Sequence, residues 1–272
     1  MRFAACLMLT ACSSASAEEV TCRPLGGERQ LCGSTSVTVP VVSTDQTPVV
    51  EARVGGKLVR LLLDTGAEKT TLSSTLLGVP DQVLMKAPEI CIGKLCLRRE
   101  EIYAWDTRFS SPDAGATNGF VGMSTLRDFD LTLEHGQAVT LAHGSAPCAG
   151  TVVDLGQTDY GSPTASITVG PLEQKDVVID TGSTFSLLSQ STVAALDPAA
   201  LAPKTSASLC TVNGCQDGVA FTAPLAHYCV GAECESDVTV KFPVFDAVGT
   251  SFLARRKVSF DFAGNQLWFC AD

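Results

Sequence analysis

LVRLLLDTGAEKTTLS, residues 58–73, and KDVVIDTGSTFSLLS, residues 175–189, decide how this chain is read. In each, a short apolar run ends in Asp-Thr-Gly: Asp64-Thr65-Gly66 in the first and Asp180-Thr181-Gly182 in the second. An apolar run of this length bounded by turn residues is a buried-strand signal, and the Ser/Thr-rich stretch after each glycine is strand-like as well. At average composition a lone Asp-Thr-Gly arises by chance in roughly one chain in twenty of this length. Either copy alone is explained by a turn, since Asp caps turns and Gly relaxes them. Two copies, each at a strand end, ask for more.

The flanks repeat too. PVVEARVGG (48–56) matches PTASITVGP (163–171), each a strand reaching a Gly-led turn about ten residues before its aspartate. GFVGMSTLRDFDLTLEHGQAVTL (119–141) matches DAVGTSFLARRKVSFDFAGNQLWF (246–269), with a small-apolar-Gly step, a segment ending in Leu, then two strands about His-Gly or Ala-Gly. The chain is two versions of one unit, and a carboxylate at the same place in both copies points to a pseudo-symmetric site where Asp64 and Asp180 meet.

Such a pair has definite chemistry. Like charges a few ångström apart do not both ionise easily, so one carboxyl keeps its proton. The ionised partner can deprotonate a water while the protonated one donates to a substrate carbonyl, which is what peptide hydrolysis without a metal or a covalent nucleophile requires. The residue after each motif differs, Ala67 against Ser183. A Ser183 hydroxyl donating to Asp180 would favour its charged form and leave the shared proton nearer Asp64.

DTGA and DTGS, each followed by an apolar-apolar-Gly step (Phe120-Val121-Gly122, Ala247-Val248-Gly249), resemble the aspartic proteases, and the short lobes look closer to retropepsins and their bacterial relatives than to the longer pepsins. The resemblance covers residues 46 to 272. It implies an all-β fold of two pseudo-symmetric barrel lobes, with an aspartic endopeptidase site between them. Carried over by motif, Asp64 and Asp180 are the catalytic pair, and Thr65 and Thr181 brace one loop against the other lobe. Gly66 and Gly182 allow close approach, Ser183 supports the second loop, and Gly122 and Gly249 lie beneath the loops. A catalytically silent relative, binding peptides in the groove or inhibiting a protease, has the same motifs.

Composition sets the remaining bounds. The 272 residues are 45% hydrophobic, enough for two modest cores, and 19 basic against 29 acidic residues give a net charge of -10, unsuited to a phosphate backbone. Scarce helical periodicity and many short strands give an all-β class independently of the resemblance. Peptide or protein substrates, a monomer, no nucleic-acid partner, no cofactor and no metal are expected. His135, His143 and His227 lie near turns or strand ends, and neither Gly-x-Ser-x-Gly nor HExxH occurs.

MRFAACLMLTACSSASAEEV at the start has one Arg, an apolar run too short to span a bilayer, and then small residues. It reads as an export signal over 1–17, placing the protein in the cell envelope, periplasm or medium. Leu9-Thr10-Ala11-Cys12 resembles a bacterial lipobox that would lipidate Cys12, the only membrane attachment foreseen, while Ala15-Ser16-Ala17 fits ordinary cleavage before Glu18. Residues 18–45 are taken as an extension, 46–148 as the first lobe and 149–272 as the second. Besides Cys6 and Cys12 in the export signal, ten cysteines suit an oxidising compartment. Cys91 pairs with Cys96 across a Gly93-Lys94 hairpin, and Cys229 with Cys234 across Gly231-Ala232. Cys210 and Cys215 share the spacing, although their Asn-Gly turn favours a shifted register. Cys22 is assigned to Cys32 by proximity and Cys148 to Cys270 by elimination. Finally, the second copy carries a longer insertion than the first between its aspartate and its later hairpin. Its sequence, 205–224, reads as two strand arms, the place from which aspartic proteases raise a flap, with LLGVPDQVLMKAPE (76–89) as the shortened first-lobe counterpart.

Overall fold

The computed structural model describes residues 20–106, 110–111, 115–145, 148–196, 203–211, 214–221, 227–236, 240–241 and 245–271. The export-signal segment with Cys12 lies outside them.

Alternation decides which face of each strand goes inward. In Val49–Val54 the burial runs in, in, out, in, out, in, and in Lys57–Leu63 the side chains of Val59, Leu61 and Leu63 are buried while Leu58 and Arg60 face out. These two strands pair antiparallel from Val49 opposite Leu62 to Val54 opposite Lys57, and Gly55 and Gly56 turn the chain at positive φ. Pro163–Val169 and Leu172–Ile179 repeat the arrangement in the second half.

The repeat in sequence is a repeat in topology. One sheet contains seven strands in the order Leu95–Arg98, Ile90–Ile92, Val49–Val54, Lys57–Leu63, Gly119–Val121, Thr71–Leu72, Glu101–Ala104. The other runs Glu233–Glu235, Tyr228–Val230, Pro163–Val169, Leu172–Ile179, Ala247–Val248, Ser186–Leu187, Val240–Lys241. Each strand of one list has the counterpart at the same place in the other. The fold is all-β, with two curled sheets of the retropepsin-like barrel type.

A six-stranded sheet joins the lobes in the order Gly150–Asp154, Gln266–Cys270, Lys257–Asp261, Asp130–Glu134, Ala138–Ala142, Ser36–Pro40. Its left three strands and right three strands are counterparts. At the centre Thr132 faces Ser259, and their hydroxyls hydrogen-bond at 2.9 Å across a sequence separation of 127 residues, the offset that also relates Gly122 to Gly249. A residue opposed to its own repeat partner lies on the pseudo-twofold axis. Buried Leu131, Leu133, Val258 and Phe260 line the same strands, so the sheet is part of the core.

Residues 20–40, read from sequence as an extension, are woven into both sheets. Ser36–Pro40 is the outer strand of the joining sheet, and the hairpin Cys22–Gly26 and Arg29–Gly33 adds to the first lobe beside Leu95–Arg98. The Thr/Val/Ser alternation of SVTVP was a strand signal whose partner lies a hundred residues away, which local reading does not reveal.

Disulfides join Cys22 to Cys32, Cys91 to Cys96, Cys148 to Cys270 and Cys229 to Cys234. In both hairpins with a cysteine separation of five the cysteines are directly opposed, with Gly93 or Gly231 at positive φ in the turn. Pro203–Thr211 and Gly214–Phe221 form the hairpin anticipated in the second lobe. Its register puts Cys210 opposite Cys215 and Thr211 opposite Gly214, so the shifted register expected of the Asn-Gly turn does not occur. The side chains of Cys210 and Cys215 lie outside the described residues. The first-lobe stretch 76–89 instead holds one short strand, Val83–Lys86, paired with Glu101–Ala104. The four disulfides among the described residues point to an extracellular or periplasmic setting. Among the described residues, no helix is long and apolar enough to cross a membrane.

Candidate active site

Each aspartate emerges where two parallel strands end together. Leu62 and Leu63 run beside Phe120 and Val121, and the Asp64 amide closes the pairing on the Val121 carbonyl at 2.9 Å. Val178 and Ile179 run beside Ala247 and Val248, and the Asp180 amide bonds the Val248 carbonyl, also at 2.9 Å.

Gly122 and Gly249 lie directly under the loops. A Cβ on Gly122 would stand 2.6 Å from the Lys69 carbonyl oxygen, and one on Gly249 would collide with the Phe185 carbonyl. Neither glycine has a left-handed φ, so space and not backbone conformation excludes a side chain. With the step kept bare, the following short helix bonds to the loop. Met123 N–H donates to Ala67 O and Thr250 N–H to Ser183 O, both at 2.8 Å. Thr70 and Ser186, not singled out from sequence, complete the arrangement by accepting the amide hydrogens of Gly122 and Gly249, each at 3.1 Å. Both hydroxyls stand six positions after the aspartate. Reading the repeat one turn further would have found them.

The two loops are tied crosswise. Thr65 Oγ1 donates to the Ile179 carbonyl and Thr181 Oγ1 to the Leu63 carbonyl, both at 2.6 Å. Each hydroxyl also accepts from the opposite threonine's amide, at 3.0 and 3.1 Å. Both threonines are 0% exposed, so these bonds are made without competition from water. Further links join the loops to the other lobe: Ser162 Oγ to the Gly66 carbonyl at 3.2 Å and Thr184 Oγ1 to Asp45 at 3.1 Å.

This crossing brings the carboxyls together. A Cβ on Gly66 would lie 2.5 Å from the Asp180 carboxyl carbon, and one on Gly182 would collide with the Asp64 carboxyl. Asp64 Oδ1 accepts from the Gly66 and Ala67 amides at 2.9 and 3.1 Å, and Asp180 Oδ1 from Gly182 at 2.8 Å. Burial, then the charge of Asp180 and a hydrogen bond to it, hold the Asp64 carboxyl well above the usual carboxylate range. Burial raises Asp180 too, against the amides of Gly182, Ser183 and Gly66 and the hydrogen bond from Asp64, which favour its charged form. Both carboxyls are thus raised, and the pair titrates as a unit. The Ser183 hydroxyl has no part in this, contrary to the sequence expectation, because it donates to the Phe185 carbonyl at 2.7 Å within its own loop. Backbone amides do what the side chain was expected to do.

Residues 44–98 match the family model of the retroviral aspartyl protease. The match supports membership of the retropepsin-like aspartic protease superfamily. It spans Asp64 and the first-lobe strands through Leu95–Arg98, whose strand order the second half repeats. No curated protein matches the chain. A hydrolase acting on peptides or proteins is the activity class that such a family carries. Among the described residues, Glu89, Cys91 and Cys96 come close enough together to suggest a cation, but both sulfurs are committed to a disulfide.

Proposed function

We propose that this protein is an aspartic endopeptidase whose catalytic pair is Asp64 and Asp180, supported by Thr65, Gly66, Thr181, Gly182, Ser183, Gly122 and Gly249. The observation that carries the reading is the mutual approach of the two loops: each DTG glycine is in contact with the opposite aspartate's carboxyl. A turn-capping aspartate needs no such neighbour. Asp180, ionised, takes a proton from a water as the water oxygen bonds to the peptide carbonyl carbon. Asp64, protonated, donates to the carbonyl oxygen, where charge builds up. When the C–N bond breaks, the proton gained by Asp180 goes to the amine nitrogen while a hydroxyl of the tetrahedral intermediate returns its proton to Asp64, so that an acid and an amine leave and the pair again holds one shared proton.

The lobes are 46–148 and 149–272, with 18–45 completing the first, and the chain acts as a monomer because both aspartates are on it. The hairpin Pro203–Thr211 and Gly214–Phe221 is the flap, hinged at its base. Support comes from its place in the chain, between Ser186–Leu187 and Tyr228–Val230, where the first lobe has the short strand Val83–Lys86. Cys12 is lipidated and anchors the protein to the envelope, and Cys12→Ala should shift it to the soluble fraction.

Digestion of a peptide library across pH, read by mass spectrometry beside the Asp180→Asn variant, tests the function. Cleavage present in the wild type and absent in the variant supports the reading. No cleavage, with peptides bound but intact, supports a silent binding protein.

A further inference from the structure

The underside of the Asp64 loop differs from that of the Asp180 loop in one respect that the pseudo-symmetry does not explain. In both lobes a hydroxyl, Thr70 or Ser186, accepts the amide of the glycine beneath the loop. In the second lobe that hydroxyl meets the phenol of Tyr228, a neutral group whose own bond goes to the Ala247 carbonyl at 3.4 Å. In the first lobe the chain continues. Thr70 Oγ1 lies 2.6 Å from Thr125 Oγ1, and Thr125 donates to Glu100 Oε1 at 2.7 Å. The counterpart of Thr125 is Phe252, which ends any such chain.

Glu100 is 2% exposed, and its Oε2 is buried without a hydrogen-bond partner among the described residues. Its counter-charge is Arg29, whose Nη1 is 3.6 Å from Oε1. Arg29 belongs to the N-terminal hairpin. The same guanidinium donates to Asp128 at 2.6 Å and to the carbonyl of Ser124, in the short helix that follows Gly122, at 3.1 Å. A buried carboxylate only partly paired is costly, and a packed apolar residue would serve stability better. Burial raises the Glu100 carboxyl above the usual range, against the bond from Thr125 and the charge of Arg29, and its Oε1 does something an apolar residue does not. As an obligate acceptor it compels Thr125 to donate to it, hence Thr70 to donate to Thr125, hence the free lone pair of Thr70 to face the Gly122 amide.

We propose that Glu100, held by Arg29 of the N-terminal hairpin, is a positioning residue for the Asp64 loop, fixing the hydroxyl order Thr125, Thr70, Gly122 beneath it. The first aspartate is thus held through a relay that ends on a carboxyl paired with Arg29, and the second through one that ends on a phenol. The N-terminal hairpin is part of the active-site scaffold. This rests on the protease reading for its kinetic consequence, but its structural consequence stands apart from it.

The experiment compares full-length wild type with Glu100→Gln, Thr125→Val and Thr125→Ser, by kinetics on a cleaved library peptide and by amide hydrogen exchange. Glu100→Gln and Thr125→Val should lower kcat about tenfold with KM nearly unchanged, and Thr125→Ser should recover most of the loss. Exchange of amides in 64–72 and 119–126 should quicken about tenfold in the two relay-breaking variants, with 180–187 unaffected. Unchanged exchange in 64–72, or a uniform rise in both lobes with kcat retained, overturns the proposal. If Glu100→Gln fails to fold, Thr125→Val decides by the same two readouts. If the wild type cleaves nothing, the protease reading fails, while exchange still decides the relay.

Discussion

Thr65 and Thr181 hold one another's loops in place: each hydroxyl donates at 2.6 Å to the carbonyl just before the other's aspartate. Since each also accepts the other's amide, a single Thr181→Val change leaves the Leu63 carbonyl and the Thr65 amide unpaired in a water-free site. The cost should be about 2–4 kcal/mol of stability, read as a lowered denaturation midpoint, with activity falling more steeply than stability because both carboxyls lose their spacing.

Gly66→Ala probes the approach of the loops separately from their bonding. The new methyl group meets the Asp180 carboxyl and no left-handed φ is involved, so displacement of that carboxyl is the dominant effect. A fall of about 100-fold in kcat/KM is expected, with the loss mostly in kcat. Steady-state kinetics beside a melting curve checks it.

The dyad should leave a mark on stability as a function of pH. Burial raises both carboxyls above the usual range, so the folded state holds the proton more tightly than the unfolded chain. That contribution is full below about pH 4, the ordinary aspartate pKa, and is lost as pH rises through the raised values. An Asp64→Asn, Asp180→Asn double variant lacks this loss. Relative to the variant, the wild-type Tm should fall as pH climbs from the ordinary aspartate range toward neutrality. A Tm difference independent of pH would contradict the shift.

Much of this was legible in the sequence, and for a physical reason. Strands that deliver Asp64 and Asp180 carry their alternation locally, and a duplicated motif displays its symmetry without any knowledge of tertiary contacts. The Cys91–Cys96 and Cys229–Cys234 pairings were readable because hairpin register is set within the hairpin. What escaped depends on distant contacts. Ser36–Pro40 finds its partner in Ala138–Ala142, and Arg29 finds Asp128 and Glu100, none of which any local pattern announces. Ser183 misled because an adjacent hydroxyl looks like the natural donor, whereas the loop turns it toward Phe185 and leaves backbone amides to face the carboxyl.

Loop length should separate the disulfides. Cys148–Cys270 has a sequence separation of 122 and ties the connection between the lobes to the last strand, while Cys91–Cys96 has a separation of five. In the chain-entropy account, replacing the Cys148–Cys270 pair by alanines costs about 5 kcal/mol and replacing Cys91–Cys96 about 2 kcal/mol. Denaturant titration of the two double variants gives the comparison.

The most direct test of the central claim is the turnover of one cleaved peptide by Asp64→Asn, measured beside the wild type at matched folded fraction. An amide at position 64 cannot supply the shared proton while leaving Asp180 its water to activate, so kcat should drop by about 10,000-fold or more with the melting transition retained. Cleavage by Asp64→Asn at a rate near that of the wild type would contradict the account.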